Sequence, residues 1–341
     1  MRELLNTLFV QTEGAYLSLD QDTVRVEIDG TVKLRAPLLN LGAIVVFGRV
    51  MLTPALIARC AVDGRSVVWM SSTGRFQGRL EGPVRGNVLL RRAQHLAALD
   101  ETRTARIARQ IVAAKIQNSR QLLLRVGRDS EAEDRNRLAM AAAELADILA
   151  RLRAATELNV IRGLEGEAAR AYFGVFGRMV RVDREELAPD GRTRRPPRDR
   201  TNALLSFLYA LLRGDCQGAL EGVGLDPQVG FLHSLRPGRP ALALDLMEEL
   251  RPSVDRLALA LINRRQIRRE HFDLLPGGAV YLNEAGRKVV IVAYQERKAE
   301  EVEHRALKEK VAWGLVAHVQ ARLLARYLRG DLAEYPPYLA R

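Results

Sequence analysis

Residues 23–34, TVRVEIDGTVKL, decide how the first part of the chain folds. Apolar side chains alternate with polar ones on both sides of the Asp29-Gly30 pair. Such alternation is typical of strands that bury one face, and Asp-Gly between two such strands is a strong short signal for a β-hairpin. The stretch therefore predicts two antiparallel strands joined by a tight turn.

More strands are predicted on the C-terminal side of this hairpin. GAIVVFG (42–48) and RSVVWM (65–70) have the composition of buried strands, and residues 72–82 suggest a last hairpin. A Thr-Pro pair at 53–54 predicts the start of a short helix, because threonine caps helices and proline suits the first turn. We expect a small β-rich domain over residues 1–85. It shows no cluster of catalytic residue types, so we interpret it as a packing or oligomerisation module.

The rest of the chain, residues 86–341, is rich in alanine, leucine and arginine at helical spacing. Helices are predicted over about 87–126, 129–155, 159–176, 201–213, 243–250, 253–265 and 301–329. Two segments differ: residues 277–292 predict a β-hairpin, and the Arg-, Pro- and Asp-rich residues 184–200 predict a flexible loop. The predicted fold class is α+β, with a small N-terminal β-rich domain followed by a larger, mostly α-helical domain.

The charge of the chain favours a polyanionic partner. Among 341 residues there are 53 Lys and Arg against 41 Asp and Glu, which gives a net charge of +12 and a pI of about 10.2. Nucleic acid is the first candidate and an anionic membrane surface the second, although the same balance can serve solubility alone. Aromatic residues make up only 5%, so base stacking on aromatic platforms is not the expected binding mode.

Several other protein classes are excluded by the sequence. A hydrophobic content of 48% argues against a disordered chain, and two cysteines, Cys60 and Cys216, cannot build a disulfide framework or a zinc cluster. No apolar run reaches the roughly 18 residues of a membrane span, and the start of the chain does not resemble a signal peptide. We therefore expect a cytoplasmic protein with no membrane association.

Glu165 is the first candidate for chemistry. It lies four residues after Ile161 and four before Ala169, within the apolar stripe of a predicted helix. A carboxylate buried there needs an ion pair, a proton or a metal ion. The ordinary alternative to a functional role is a buried ion pair with Arg162 or Arg170.

A second group of candidates lies within residues 229–252, VGFLHSLRPGRPALALDLMEELRP. His233 stands in an apolar segment between glycine and proline turns, where a histidine is usually a packing residue. Asp245, Glu248 and Glu249 follow on a predicted helix, and Asp245 can share a helix face with either glutamate. The pattern alone does not choose among these three acids.

Two carboxylates and one imidazole form a ligand set that suits Mg²⁺ or Mn²⁺ better than structural zinc. Such ions recur where a phosphodiester is attacked, because they neutralise phosphate oxygens and activate a water or a hydroxyl group. Arg236 and Arg239 flank the His233 turn, and a run of arginines that starts at Arg251 follows the acidic helix. The arginines could supply affinity for a phosphate backbone, but runs of charge are usually solvated helix faces.

Three ordered motifs carry a resemblance to a known family. GLEGEAARAYF (163–173), PPRDRTNALLSFLYALL (196–212) and residues 229–252 together resemble the CRISPR-associated integrase family, Cas1, which inserts new spacers into CRISPR arrays. The opening stretches LLNTLFVQTEGAYLSLD and LLNLGAIVVFG resemble its N-terminal domain, in the form that accompanies type I-C systems. The resemblance covers nearly the whole chain.

The resemblance implies a fold, an activity and a set of partners. It implies a sandwich-like N-terminal domain that takes part in dimerisation, and an α-helical catalytic domain with DNA endonuclease and strand-transfer activity. The 3′-hydroxyl ends of short double-stranded DNA, the protospacer, would be joined to the ends of a CRISPR repeat. The implied assembly is a homodimer, two copies of which join a central Cas2 dimer.

The resemblance also implies the site residues. The metal ligands and catalytic residues would be Glu165, His233 and Glu248, binding Mg²⁺ or Mn²⁺. Among residues expected near the site, to orient ligands or contact DNA, the resemblance gives Asp245, Asn202 and Tyr209. The residue pattern adds Arg162, Arg170, Arg236 and Arg239. Two other functions stay open on the residues alone: a non-catalytic architectural DNA-binding protein, and a metal-dependent nuclease without integration.

Overall fold

The computed structural model describes residues 6–72, 76–80, 82 and 88–340. The N-terminal elements are β1 (Asn6–Val10), β2 (Tyr16–Asp20), β3 (Thr23–Ile28), β4 (Thr31–Pro37), β5 (Leu41–Phe47), β6 (Met51–Leu52), α1 (Pro54–Asp63), β7 (Ser66–Met70) and β8 (Phe76–Arg79). The later elements are α2 (Val88–Leu99), α3 (Glu101–Arg128), α4 (Ala132–Ala154), α5 (Leu158–Gly174), α6 (Arg184–Leu187), α7 (Arg200–Val223), α8 (Ala241–Asn263), β9 (Phe272–Leu274), β10 (Val280–Leu282), α9 (Glu284–Ala299), β11 (Glu301–His304), β12 (Glu309–Ala312) and α10 (Trp313–Arg329).

The predicted first hairpin is confirmed. Strands β3 and β4 pair antiparallel, with Val26 opposite Leu34. The two turn residues both have positive φ, 50° at Asp29 and 72° at Gly30. A two-residue turn of this kind matches the twist of the strands, and aspartate and glycine tolerate the left-handed conformation that it needs.

The N-terminal strands form two four-stranded sheets. One has the order β1-β5-β7-β8, with the first three strands parallel, and the other has the order β4-β3-β2-β6. Side chains from both sheets, among them Ile44 and Val67 from one and Leu17 and Val24 from the other, bury together in a single hydrophobic cluster. This is the sandwich-like arrangement that the resemblance implied, because each sheet hides one apolar face against the other.

The helical part is built around α3, which packs against α4, α5 and α8. Helix α8 also packs against α7, which in turn contacts α10. The opposite face of the first sheet joins this core, where the Phe47 and Phe207 rings lie 6.2 Å apart between centroids. A small strand-rich N-terminal part followed by a larger helical part confirms the predicted α+β fold class.

The predicted division into helices is wrong in two regions, α2–α3 and α8. The helix expected over 87–126 is two helices, because the Asp100 side chain caps α3 by accepting from the Arg103 N–H at 3.0 Å. The helices expected over 243–250 and 253–265 are one helix, α8, with Pro252 inside it. Both halves of α8 bury apolar residues in the same core, and this packing outweighs the hydrogen bond that proline cannot donate.

Further corrections concern two C-terminal segments and the region of α6 and α7. Residues 277–292 are not a hairpin: β10 pairs with the earlier strand β9, and Asn283 then caps α9 by accepting from the Gly286 N–H at 2.9 Å. The helix expected over 301–329 begins only at Trp313, because 301–312 form the antiparallel pair β11–β12. Helix α7 extends to Val223, beyond the predicted end at 213, and α6 interrupts the loop expected over 184–200.

The expected domain boundary near residue 85 lies in the stretch 83–87, outside the described residues, as does the tip of the last predicted hairpin at 73–75. No helix in the described ranges has both the length and the apolar character that crossing a membrane requires.

Candidate metal centre

The candidate residues come from two helices and the segment that precedes the second. Glu165 lies in the middle of α5, and Glu248 lies in α8. His233 belongs to the irregular stretch 224–240 between α7 and α8. Helix α3 packs against both α5 and α8, so a side chain of α3 can reach both glutamates.

Glu165 is at the edge of the apolar stripe of α5 rather than inside it. Its side chain is 27% exposed, whereas Ile161, Leu164 and Ala168 are buried. Its cationic neighbour is Lys115 of α3, which donates to Glu165 Oε1. The ion pair that the sequence suggested with Arg162 or Arg170 is therefore wrong.

Arg162 has a different role, and Arg170 is exposed. The Arg162 side chain donates from Nε to the carbonyl oxygen of Leu232 at 2.7 Å. That hydrogen bond ties α5 to the residue before His233. Arg162 thus helps to fix the distance between Glu165 and the imidazole without touching either.

Glu248 is buried among cations. Its side chain is only 4% exposed, Arg251 Nε lies 2.9 Å from Oε1, and Lys115 Nζ lies 2.6 Å from Oε2. Burial alone would raise the pKa of Glu248, but Arg251 and Lys115 outweigh it and lower the pKa to about 2. The carboxylate is therefore ionised at neutral pH.

His233 is held by Asp245. The imidazole Nδ1 lies 2.7 Å from Asp245 Oδ1, and because a carboxylate accepts hydrogen bonds, Nδ1 carries the proton. The other nitrogen, Nε2, lies 3.9 Å from Glu248 Oε1. A carboxylate–histidine pair of this kind fixes the orientation of the ring and leaves the lone pair of Nε2 available to a ligand.

Asp245 also anchors the backbone of this turn. It is fully buried, and its Oδ2 accepts from the N–H groups of Phe231 at 2.6 Å and Leu232 at 2.9 Å. Its Oδ1 accepts from the His233 N–H at 2.9 Å. Both oxygens of Asp245 are therefore committed to the protein, and neither is free for an external ligand.

Glu249 lies on the other side of α8, against the C-terminal tail. It accepts hydrogen bonds from Tyr335 Oη at 2.7 Å, Gln320 Nε2 at 2.9 Å and the Tyr338 N–H at 2.7 Å. Among the three acids that the sequence left open, Glu248 is the one that lies with Glu165 and His233.

Tyr209 and Asn202 lie in α7 and support the site indirectly. The Arg251 guanidinium packs over the Tyr209 ring, 4.4 Å from the ring centroid. The Tyr209 hydroxyl donates a hydrogen bond to Asp255 at 2.5 Å. Tyr209 thereby positions the arginine that pairs with Glu248. Asn202 donates to the Gly191 carbonyl at 2.9 Å and accepts from Arg192 at 2.7 Å, so it holds the 184–200 loop.

The remaining predicted residues are on the turn itself. Arg236 is exposed and Arg239 is half-buried, next to His233 in sequence. A pocket beside the site is lined by further cations, Lys115, Arg192, Arg194 and Arg251. Through Lys115 and Arg251 the candidate centre borders a pocket whose charged lining is four cations and one carboxylate, Asp255.

Two residues of the site, Arg251 and Lys115, were not predicted from the sequence. Arg251 was placed in a solvated run, yet its side chain is 14% exposed and paired. Lys115 was not among the residues predicted for the site. Its only signal is a single lysine among apolar residues in IVAAKI (111–116), a pattern that is more often a solvated position.

The donor set fits a divalent ion of the magnesium type. Glu165, Glu248 and the free Nε2 of His233 supply oxygen and imidazole donors, and the two carboxylates already share a cation in Lys115. Glu248 Oε2 is buried and, within the described residues, accepts no well-aligned hydrogen bond. Across the same residues no three His, Cys, Asp or Glu side chains already stand at metal-binding spacing.

Comparison with known proteins identifies the family. The family model for CRISPR associated protein Cas1 matches residues 8–296. The chain belongs to the Cas1 family. A relative from Moorella thermoacetica, named CRISPR-associated endonuclease Cas1 1, is 55% identical over 343 aligned positions that cover 100% of both chains.

Solved structures of Cas1 proteins share this fold. A Cas1 protein from Thermotoga maritima matches with a TM-score of 0.83 and 24% identity, over 98% of this chain and 100% of that one. A chain of a Cas6-RT-Cas1–Cas2 complex matches with a TM-score of 0.83 and 25% identity, over 98% of this chain and 36% of the other. The resemblance to the Cas1 family is thus confirmed, while the type I-C association stays a prediction.

Proposed function

We propose that this Cas1 family member is a divalent-metal-dependent DNA endonuclease and integrase of CRISPR adaptation. The observation that carries the proposal is that Glu165 and Glu248 share the cation of Lys115, while Nε2 of His233 lies 3.9 Å from Glu248 Oε1. The 55% identical relative is named an endonuclease, and the net charge of +12 suits a nucleic acid substrate.

Each residue has a task in this proposal. Glu165, His233 and Glu248 would hold Mg²⁺ or Mn²⁺, and the ion would supply polarisation of the target phosphate and orientation of the attacking 3′-hydroxyl. Asp245 keeps the Nδ1 proton on His233, so that Nε2 is the donor atom. Arg251 keeps Glu248 ionised.

The partners and the assembly belong to the same proposal. Protospacer and repeat DNA would be the substrates, and the positive surroundings of the site favour the phosphate backbone without reading sequence. A Cas2 partner is proposed because a 25% identical chain was solved in a complex that contains Cas2. The homodimer and the dimeric state of Cas2 are proposed from the family resemblance alone. The N-terminal domain, residues 1–85, would take part in dimerisation, and residues 86–341 would carry the catalysis.

A strand-transfer assay tests the proposal. The protein, with and without Cas2, is mixed with a labelled short duplex bearing 3′-hydroxyl ends and a supercoiled plasmid that contains a CRISPR repeat. Mg²⁺, Mn²⁺ and EDTA reactions run in parallel for the wild type, Glu165→Ala, His233→Ala and Glu167→Ala. Glu167 is the matched control, since it lies on the same helix but pairs with Arg151 at 2.6 Å.

Label joined to the plasmid only with metal, in the wild type and Glu167→Ala but not in the other two variants, is the expected result. Retained integration in Glu165→Ala or His233→Ala would contradict the site. Cut DNA without joined label would indicate a nuclease without integration. Binding that is indifferent to EDTA, with every strand intact, would indicate an architectural DNA-binding protein.

A further inference from the structure

Lys115 lies between the two carboxylates of the candidate metal centre. Its Nζ donates to Glu165 and lies 2.6 Å from Glu248 Oε2, and its side chain is only 13% exposed. The ammonium group therefore occupies the place that a cation shared by both acids would take.

The charges around this place are already balanced. Two carboxylates, Glu165 and Glu248, meet two cations, Lys115 and Arg251. A divalent ion added to this group would stand beside an ammonium in a poorly solvated site, where like charges repel strongly. One of the two side-chain cations has to leave before the ion can bind both carboxylates.

Arg251 is the cation that stays. Its guanidinium lies 4.4 Å from the Tyr209 ring centroid and donates to Glu248, and Tyr209 is itself fixed by Asp255. Lysine, by contrast, is a point charge on a flexible four-carbon stem. Lys115 also borders the pocket beside Tyr209, whose lining includes the Asp255 carboxylate as well as three arginines.

We propose that Lys115 holds the cation position of the centre in the metal-free protein and leaves it when a divalent ion binds. The lysine then sets the metal affinity of the centre, because every binding event must displace its ammonium. The inference rests on the proposed function, since it takes Glu165 and Glu248 as metal ligands. Lys115 is in this sense a positioning residue rather than a catalytic one.

Mn²⁺ affinity of the full-length protein, measured by isothermal titration calorimetry at neutral pH, tests this role. Lys115→Met removes the competing charge and should tighten the Mn²⁺ dissociation constant about tenfold. Lys115→Arg keeps a cation between the two carboxylates and should not tighten the affinity. The matched control is Lys298→Met, because the Lys298 side chain is 9% exposed against 13% for Lys115 but pairs with Asp215 at 3.1 Å.

A measurement on the wild type avoids any folding defect of the variants. Reductive methylation followed by mass spectrometry reports how accessible each lysine amine is. Mn²⁺ should increase the labelling of Lys115 several-fold and leave that of Lys298 unchanged. Lys115 labelling that stays constant at saturating Mn²⁺ would overturn the proposal, as would folded Lys115→Met with unchanged or weaker Mn²⁺ affinity.

Glu165→Gln separates this inference from the proposed function. If the wild type binds Mn²⁺ no better than Glu165→Gln, the proposed metal centre itself fails. If binding depends on Glu165 while Lys115→Met changes nothing, the centre stands and only the role of Lys115 is wrong.

Discussion

Glu248 and Glu249 are neighbours on α8, and they belong to two different regions of the molecule. Glu248 lies with Lys115, Arg251 and His233, and its pKa is lowered to about 2. Glu249 lies against the C-terminal tail, and burial raises its pKa to about 7 even though three hydrogen bonds oppose the rise.

The difference shows that the partners, not the depth of burial, decide the charge of these two acids. Both side chains are buried and lose hydration to a similar degree. Glu248 is paired with Lys115 and Arg251, which favour its ionised form, whereas the donors that the described part of the chain offers Glu249 are neutral groups such as the Tyr335 hydroxyl. The first region keeps a permanent negative charge for a cation, and the second is a hydrogen-bonded support.

The largest expected effect comes from replacing Glu248 or Glu249 by glutamine, in two separate variants. Glu248→Gln should lower metal-dependent cleavage and strand transfer by about 1,000-fold or more, because a proposed ligand loses its charge. Glu249→Gln should keep the activity of the folded protein within about threefold of the wild type. It should lower the free energy of unfolding by about 1–3 kcal/mol, because it disturbs the buried hydrogen bonds to Glu249. Initial rates with Mn²⁺ and thermal unfolding of both variants check this. Equal losses of activity would mean that the two regions are not functionally distinct.

Asp245→Asn should weaken Mn²⁺ binding about 10–100-fold, the range typical of residues that orient a histidine ligand. Asparagine keeps one oxygen for the turn backbone but no longer provides a carboxylate for the His233 Nδ1 proton. Calorimetric titration with Mn²⁺ measures the change. Asp226→Asn is the control, because Asp226 caps the Gln228 N–H at 2.8 Å in the same segment. Equal affinity in the two variants would show that Asp245 serves only the fold.

Local signals predicted the elements of the fold better than the partners within the site. The Asp29-Gly30 turn and the Thr53 cap act on residues next to them, and both were predicted and confirmed. Lys115 meets Glu165 and Glu248 only through the packing of α3 on α5 and α8, and no short pattern encodes that meeting. The pattern on α8 left three acids open, because the choice depends on which backbone N–H groups reach Asp245 and what the tail places against Glu249.

A fourth buried acid of α8, Asp255, sharpens the comparison through pH. Burial raises its pKa to about 6, against hydrogen bonds from Tyr209 and Tyr172. The folded state then binds the proton more tightly than the unfolded state does. The contribution of Asp255 to stability is full below about pH 4 and is lost as the pH rises through about 6, a change of about 3 kcal/mol.

Urea unfolding of the wild type and Asp255→Asn at several pH values between 4 and 7 checks this assignment. Asparagine cannot titrate, so the difference in unfolding free energy between the two proteins should change across that range in favour of the variant as the pH rises. A difference that is constant from pH 4 to pH 7 would show that Asp255 keeps an ordinary pKa.

Tyr335→Phe should have the smallest effect, and it tests whether the tail region can be weakened without touching the other side of α8. The substitution removes the hydroxyl that donates to Glu249 Oε1 at 2.7 Å but keeps the buried ring. Gln320 and the Tyr338 N–H still donate to Glu249, so the loss of stability should be about 1 kcal/mol. Mn²⁺ affinity should stay unchanged, because the cations around Glu248 lie across the helix. A weaker Mn²⁺ affinity in this variant would mean that the tail fixes the position of α8 at the metal centre. The contacts of Glu249 and the metal affinity at Glu248 would then be coupled through the helix.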